Sequence, residues 1–142
     1  MSKLVVDASV AAKWLVAEPL SDKALEILGS SDELCAPDLL LAEVGNILWK
    51  KARAGDLTPA AAQERFRALL SMGVTVVPAS GLGERAVALA LELGRTVYDS
   101  LYLALAEAEG CDFVTADERL VNAVAHTPIA ARAKWLGARG SR

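Results

Sequence analysis

Hydrophobic positions in this chain come in two forms, short solid blocks and longer stretches spaced by three and four, and the two alternate from one end to the other. Leu4-Val5-Val6 is a solid block, the pattern of a strand covered on both faces of a parallel sheet. It stops at Asp7, the small pair Ala8-Ser9 allows a tight turn, and residues 10–16 continue with helical spacing. Ser21 and Asp22 offer a cap for a helix with Ala24, Leu25, Ile27 and Leu28 on its apolar side, ended by Gly29-Ser30-Ser31. Leu34-Cys35-Ala36, closed by Pro37, predicts a second strand, and Asp38 stands where it can cap a long helix from Leu39 to the basic end Lys50-Lys51-Ala52-Arg53.

After the turn Gly55-Asp56-Leu57, Thr58-Pro59 marks a helix start, because threonine caps and proline fits the first helical position. That helix, over 60–71, is predicted to turn Phe66, Leu69 and Leu70 inward and to leave Glu64, Arg65 and Arg67 in water. Residues 74–77 predict a strand, 84–93 a helix stopped by Gly94, and 100–109 a deeply packed Ala/Leu-rich helix stopped by Gly110. A strand over 111–115 and a short helix over 118–125 follow. Thr127-Pro128-Ile129-Ala130 predicts a final edge strand, and 130–142 a basic C-terminal tail with Trp135 docked on the core. This alternation predicts an α/β fold in one domain spanning 1–142, with a mostly parallel sheet of short strands covered by helices on both sides.

Composition narrows the function. With 142 residues, 54% of them hydrophobic, the chain can bury one sizeable core. Its net charge of −3 argues against a broad basic surface for non-specific nucleic-acid binding, so a polyanion partner has to be met by local basic residues or bound cations. Cys35 and Cys111 lack C-x-x-C spacing and read as buried thiols rather than zinc ligands. The first residues are too few and too polar for a signal peptide, and no apolar run reaches membrane-spanning length, which predicts a cytoplasmic protein.

Four acidic residues are the candidate chemistry. Asp7 and Asp117 each end a strand where a helix begins, and ligands of open α/β sheets sit beyond the carboxyl ends of the strands. Each is equally placed as an ordinary helix cap. Glu43 lies among Leu39, Leu40, Asn46 and Ile47 on its helix, so it reaches water, pairs with a base, or faces a polar cavity with Asn46 one turn on. Asp99, three residues after Thr96, has capping-box spacing. Lys50, Lys51 and Arg53 suit a solvated helix end better than a phosphate patch, and His126 stands alone. If the carboxylates converge, two of them about 4 Å apart repel by on the order of 4 kcal/mol at an effective dielectric near 20, so the cluster needs protons or cations. Without histidine or cysteine ligands, oxygen donors point to Mg²⁺ or Mn²⁺. Such ions suit phosphodiester hydrolysis, and they can bridge an acidic site to a polyanion.

Together, Asp7-Ala-Ser9 after an N-terminal apolar strand, Glu43 with Asn46 in a Leu-rich helix behind Pro37, Tyr98-Asp99-Ser-Leu-Tyr-Leu-Ala-Leu-Ala, and Thr115-Ala-Asp117-Glu-Arg-Leu resemble a PIN-domain ribonuclease, specifically the VapC-type toxin of a toxin–antitoxin pair. The resemblance covers essentially the whole chain. It implies a parallel sheet of about five strands and an acidic quartet, Asp7, Glu43, Asp99 and Asp117, holding one or two Mg²⁺ or Mn²⁺ ions. Ser9 and Thr115 would support it, with Asn46 behind them. It further implies an RNA substrate cut to a 5′-phosphate and a 3′-hydroxyl, a homodimer, and silencing by a VapB-type antitoxin. The rival readings are a non-catalytic RNA-binding PIN relative, a DNA-directed metal nuclease, and a receiver-like Mg²⁺-binding phosphoacceptor domain. The last fits less well, because Asp7 is followed by alanine rather than a second acid.

Overall fold

The computed structural model describes residues 2–140. Its strands are β1 (Lys3–Val6), β2 (Glu33–Pro37), β3 (Thr75–Val77), β4 (Asp112–Thr115) and β5 (Ala133–Trp135). Its helices are α1 (Ala8–Leu15), α2 (Ser21–Leu28), α3 (Leu39–Arg53), α4 (Pro59–Leu70), α5 (Gly83–Leu93), α6 (Val97–Glu109) and α7 (Glu118–Ala123). The sheet runs β3-β2-β1-β4-β5 and every pairing is parallel. β1 is therefore central, with Val5 opposite Cys35 on one side and Phe113 on the other.

Successive strand residues point to opposite faces, and Leu4, Val5 and Val6 are all buried, so both faces of β1 are covered as the apolar block predicts. α1 lies against α2 and α3, α3 against α4, and α6 against α5 and the strands β1 and β2. α6 is buried from Ser100 to Ala106, which accounts for its Ala/Leu composition. The thiols of Cys35 and Cys111 are buried as expected, and burial pushes the Cys35 thiol up to about 12.

Five local expectations are corrected. The edge strand is not 127–130: Pro128–Ala131 forms a 3₁₀ turn, and the chain pairs with β4 only at 133–135. The segment read as a basic tail thus belongs to the sheet, with Leu136 fully buried and Trp135 half-buried over Gly137; residues 141 and 142 lie outside the described residues. Asp38 does not cap α3; its Oδ1 accepts from the Ala79 backbone N–H at 3.2 Å, joining the ends of β2 and β3. Ser21 is the first residue of α2 rather than its cap, and its Oγ braces the preceding loop by accepting from Glu18 N and donating to Val16 O. In α4, Leu70 is 60% exposed, whereas Arg65 is half-buried with its Nε donating to Leu15 O at 2.8 Å. That helix packs through Phe66 and Leu69, a narrower stripe than its apolar residues suggest.

Candidate active site

β1 and β4 are neighbours with Val6 opposite Val114, so the residues that follow them, Asp7 and Thr115, meet at the carboxyl end of the sheet. Asp7 is extended and caps α1, its Oδ1 accepting from Val10 N at 3.2 Å. The cap does not exhaust it. Oδ1 also accepts from the Ser9 hydroxyl at 2.5 Å, and Oδ2 accepts from the Thr115 hydroxyl at 2.6 Å. Ser9 Oγ in turn accepts from Ala116 N, and Thr115 Oγ1 from Asp117 N, at 2.9 and 3.0 Å. These bonds tie the two strand ends into one ring and fix the Asp7 carboxyl. Burial raises its pKa from the ordinary 3.8 to about 6; the bonds from Ser9, Thr115 and Val10 N oppose that rise, and the charge on Glu43 adds to it.

Glu43 comes from α3. None of the three outcomes expected for it is the whole answer, because its partner is a phenol: Tyr102 Oη donates to Glu43 Oε1 at 2.5 Å. Burial pushes the Glu43 carboxyl up, the Tyr102 bond opposes this, and the charge on Asp99 adds to it. Tyr102 is 3% exposed, with its ring stacked on Phe113 at 5.8 Å between centroids. Burial, the bond to Glu43, and the charges on Glu43, Asp7 and Asp99 all drive the phenol well above its ordinary range, so it remains a proton donor. Of the four predicted acids, Glu43 alone bonds this hydroxyl, and the charges on Asp7 and Asp99 reach it through space.

Asp99 sits in the first turn of α6. Thr96 caps that helix by accepting from Asp99 N at 3.1 Å, which is half of a capping box. The carboxylate does not complete the box; Oδ2 accepts from Arg95 Nη2 at 3.0 Å. Asp117 caps α7, Oδ1 accepting from Arg119 N and Leu120 N, and it joins the ring only through Thr115. Asn46 is exposed, and among the described residues it makes no hydrogen bond to the carboxylates. Lys51 pairs with Glu18 at 3.4 Å and Arg53 stacks over Trp49, in keeping with a solvated helix end.

The donor set is all oxygen, the chemistry of a hard divalent cation, and the Asp7 and Glu43 carboxyls are both raised, first by burial and then by the charge of a neighbouring acid. As the side chains stand, no three His, Cys, Asp or Glu among the described residues are gathered closely enough to hold a metal ion. Asp99 is bonded to Arg95, and Asp117 to the first turn of its own helix. Sequence reasoning missed two members of the site. Tyr102 lies one helical turn after Asp99 on α6, a spacing that could have found it; Arg95 precedes the Thr96 cap, outside the helix, so no helical spacing pointed to it.

Comparison with known proteins gives a consistent picture. The PIN domain family profile matches residues 4–126. Ribonuclease VapC3 of Pyrobaculum aerophilum is 40% identical over 120 residues, covering 83% of this chain and 92% of that protein. Ribonuclease VapC9 of Mycobacterium tuberculosis is 35% identical over 117 residues, covering 82% of this chain and 87% of its own. Among solved structures, a Pyrobaculum aerophilum protein superimposes with a TM-score of 0.67 at 31% identity, covering 86% of this chain and 79% of that one.

Proposed function

Because the chain belongs to the PIN domain family and is similar over most of its length to VapC ribonucleases, we propose that it is a metal-dependent endoribonuclease toxin whose acidic pocket hydrolyses RNA. The observation that carries this reading is the hydrogen-bonded ring at the ends of β1 and β4. It fixes the Asp7 carboxyl at the end of the sheet, near enough to Glu43 for that residue's charge to add to its raised pKa. Asp7 and Asp99 are the direct ligands for Mg²⁺ or Mn²⁺, Glu43 is a ligand or orients water, and Asp117 acts at the rim, through water. A bound divalent cation supplies a more acidic water and stabilises charge on the phosphoryl and leaving oxygens.

The chain's own residues prepare the pocket. Ser9 and Thr115 donate to Asp7 and leave it little rotational freedom, while Tyr102 holds Glu43. Asn46, one turn from Glu43 on the same helix, supports the acids from behind them. The chain works as a single unit in the cytoplasm, as a homodimer, and is silenced by a VapB-type antitoxin encoded beside it. Among the described residues no helix is long and apolar enough to cross a membrane.

The test is incubation of end-labelled RNA and DNA with wild type and Asp7→Asn, in Mg²⁺, Mn²⁺ or EDTA. Wild type is expected to cut RNA only with a metal, and Asp7→Asn to cut nothing. RNA left intact in both metals overturns the nuclease reading and favours the RNA-binding relative; DNA cut in preference to RNA favours the DNA-directed one.

A further inference from the structure

Arg95 is bonded to Asp99, and the quartet account gives it no part. Its Nη2 donates to Asp99 Oδ2 at 3.0 Å, and the two side chains are 27% and 34% exposed, so the pair sits at the rim rather than in the core. Two buried side-chain atoms among the described residues lack a hydrogen-bond partner, Arg95 Nε and Ser100 Oγ, and both flank Asp99. A buried N–H without an acceptor makes the position of this guanidinium a costly one, and the other donors of its fork are not used on Asp99. Meanwhile the pocket collects acids, and the chain as a whole carries a net charge of −3, so a phosphodiester arriving here needs a cation supplied at the site.

Resting on the nuclease reading, we infer that Arg95 is an exchangeable counter-ion. Its guanidinium occupies the Asp99 carboxylate while the pocket holds no metal, and passes to a phosphate oxygen of the RNA strand when a divalent cation takes that carboxylate. The planar fork suits both partners, since carboxylate and phosphate accept from it in the same way. The exchange requires Arg95 to release Asp99 and turn its charge toward the substrate, which its place at the rim leaves room for.

The exchange predicts opposite effects on two measurable constants. Mn²⁺ binding is followed by calorimetry on the intact protein, and KM and kcat for RNA cleavage are measured at saturating Mn²⁺, for wild type, Arg95→Gln, Arg95→Ala and Arg95→Lys. Loss of the guanidinium is expected to tighten Mn²⁺ binding roughly tenfold and to raise KM roughly tenfold, the order of one charge-assisted hydrogen bond. Arg95→Lys recovers part of the KM effect. Arg85→Ala, whose partner Glu107 lies at the other end of α6, serves as the control and leaves both constants unchanged. Mn²⁺ affinity that is unchanged or weaker in Arg95→Gln overturns the exchange, as does an unchanged KM. A wild type that neither binds Mn²⁺ nor cuts RNA fails the nuclease reading itself, whereas a cutting wild type matched by Arg95→Gln removes only this inference.

Discussion

Replacing Asp7 with asparagine should make the metal-free protein more stable while abolishing its activity. The carboxyl rises from an ordinary 3.8 to about 6 in the folded chain, chiefly because it is buried. At about 1.4 kcal/mol for each pH unit between the two values, the charged form costs the folded state about 3 kcal/mol. The sign follows from proton counting. Below about pH 4 both states hold the proton and there is no penalty; between about pH 4 and 6 the folded chain keeps a proton that the unfolded chain releases, so stability falls as pH rises; above about pH 6 the full penalty stands. Asparagine carries no charge. Its oxygen can accept from Ser9 and Val10 N, but its amide faces the Thr115 hydroxyl as a donor, which sets the lost bond at about 1 kcal/mol. Near pH 7.5 in EDTA, Asp7→Asn should therefore exceed wild type by about 2 kcal/mol, or about 6 °C in Tm for a chain of this size. The advantage should vanish and reverse slightly near pH 4. Circular dichroism melts of both proteins across this range test it, and subtracting one from the other cancels the titrating groups that are not coupled to Asp7. Millimolar Mg²⁺ should then raise the Tm of wild type and leave the variant unmoved. A variant less stable than wild type near pH 7.5 without metal, or a difference that ignores pH, would refute the reasoning.

Other perturbations address the parts separately. Tyr102→Phe keeps the ring on Phe113 and removes the donor to Glu43; denaturant unfolding should show a loss of about 1–2 kcal/mol, and RNA cleavage should slow at least about tenfold, whereas undiminished cleavage means that Glu43 needs no holding. Leu136→Ala should cost about 2–4 kcal/mol by urea titration, because the side chain is fully buried in the segment read from sequence as a tail; a wild-type midpoint contradicts that placement. Thr58→Ala should lose about 1 kcal/mol in thermal melts without affecting cleavage, because Thr58 Oγ1 accepts from Ala61 N at the start of α4 and lies outside the pocket.

What could be read from the sequence follows from how local each signal is. The block Leu4-Val5-Val6 and its stop at Asp7 are complete within a few residues, so β1 and its terminal acid were legible, as were the proline start of α4 and the glycine stops of α5 and α6. β5 was not, because Ala133-Lys134-Trp135 has neither length nor alternation of its own and becomes a strand only by pairing beside Phe113 and Val114. Cap and site were weighed as alternatives for Asp7, yet a carboxylate has two oxygens and several lone pairs. One side chain can end a helix and still serve a pocket. Tyr102 was hidden for a different reason: in an Ala/Leu-rich helix a tyrosine reads as core, and its ring is indeed buried, but its hydroxyl belongs to the site.

The strand order has a bearing on how the protein is made. β1 leaves the ribosome first, but its neighbour β4 is encoded more than a hundred residues later, and the Thr115 hydroxyl that clamps Asp7 arrives with it. Any nascent chain that has not reached Thr115 lacks the bond to Asp7 Oδ2 and two of the five strands, whatever its helices have done. The ring around Asp7 is thus completed only late in translation, and a truncated product that ends before β4 cannot close it.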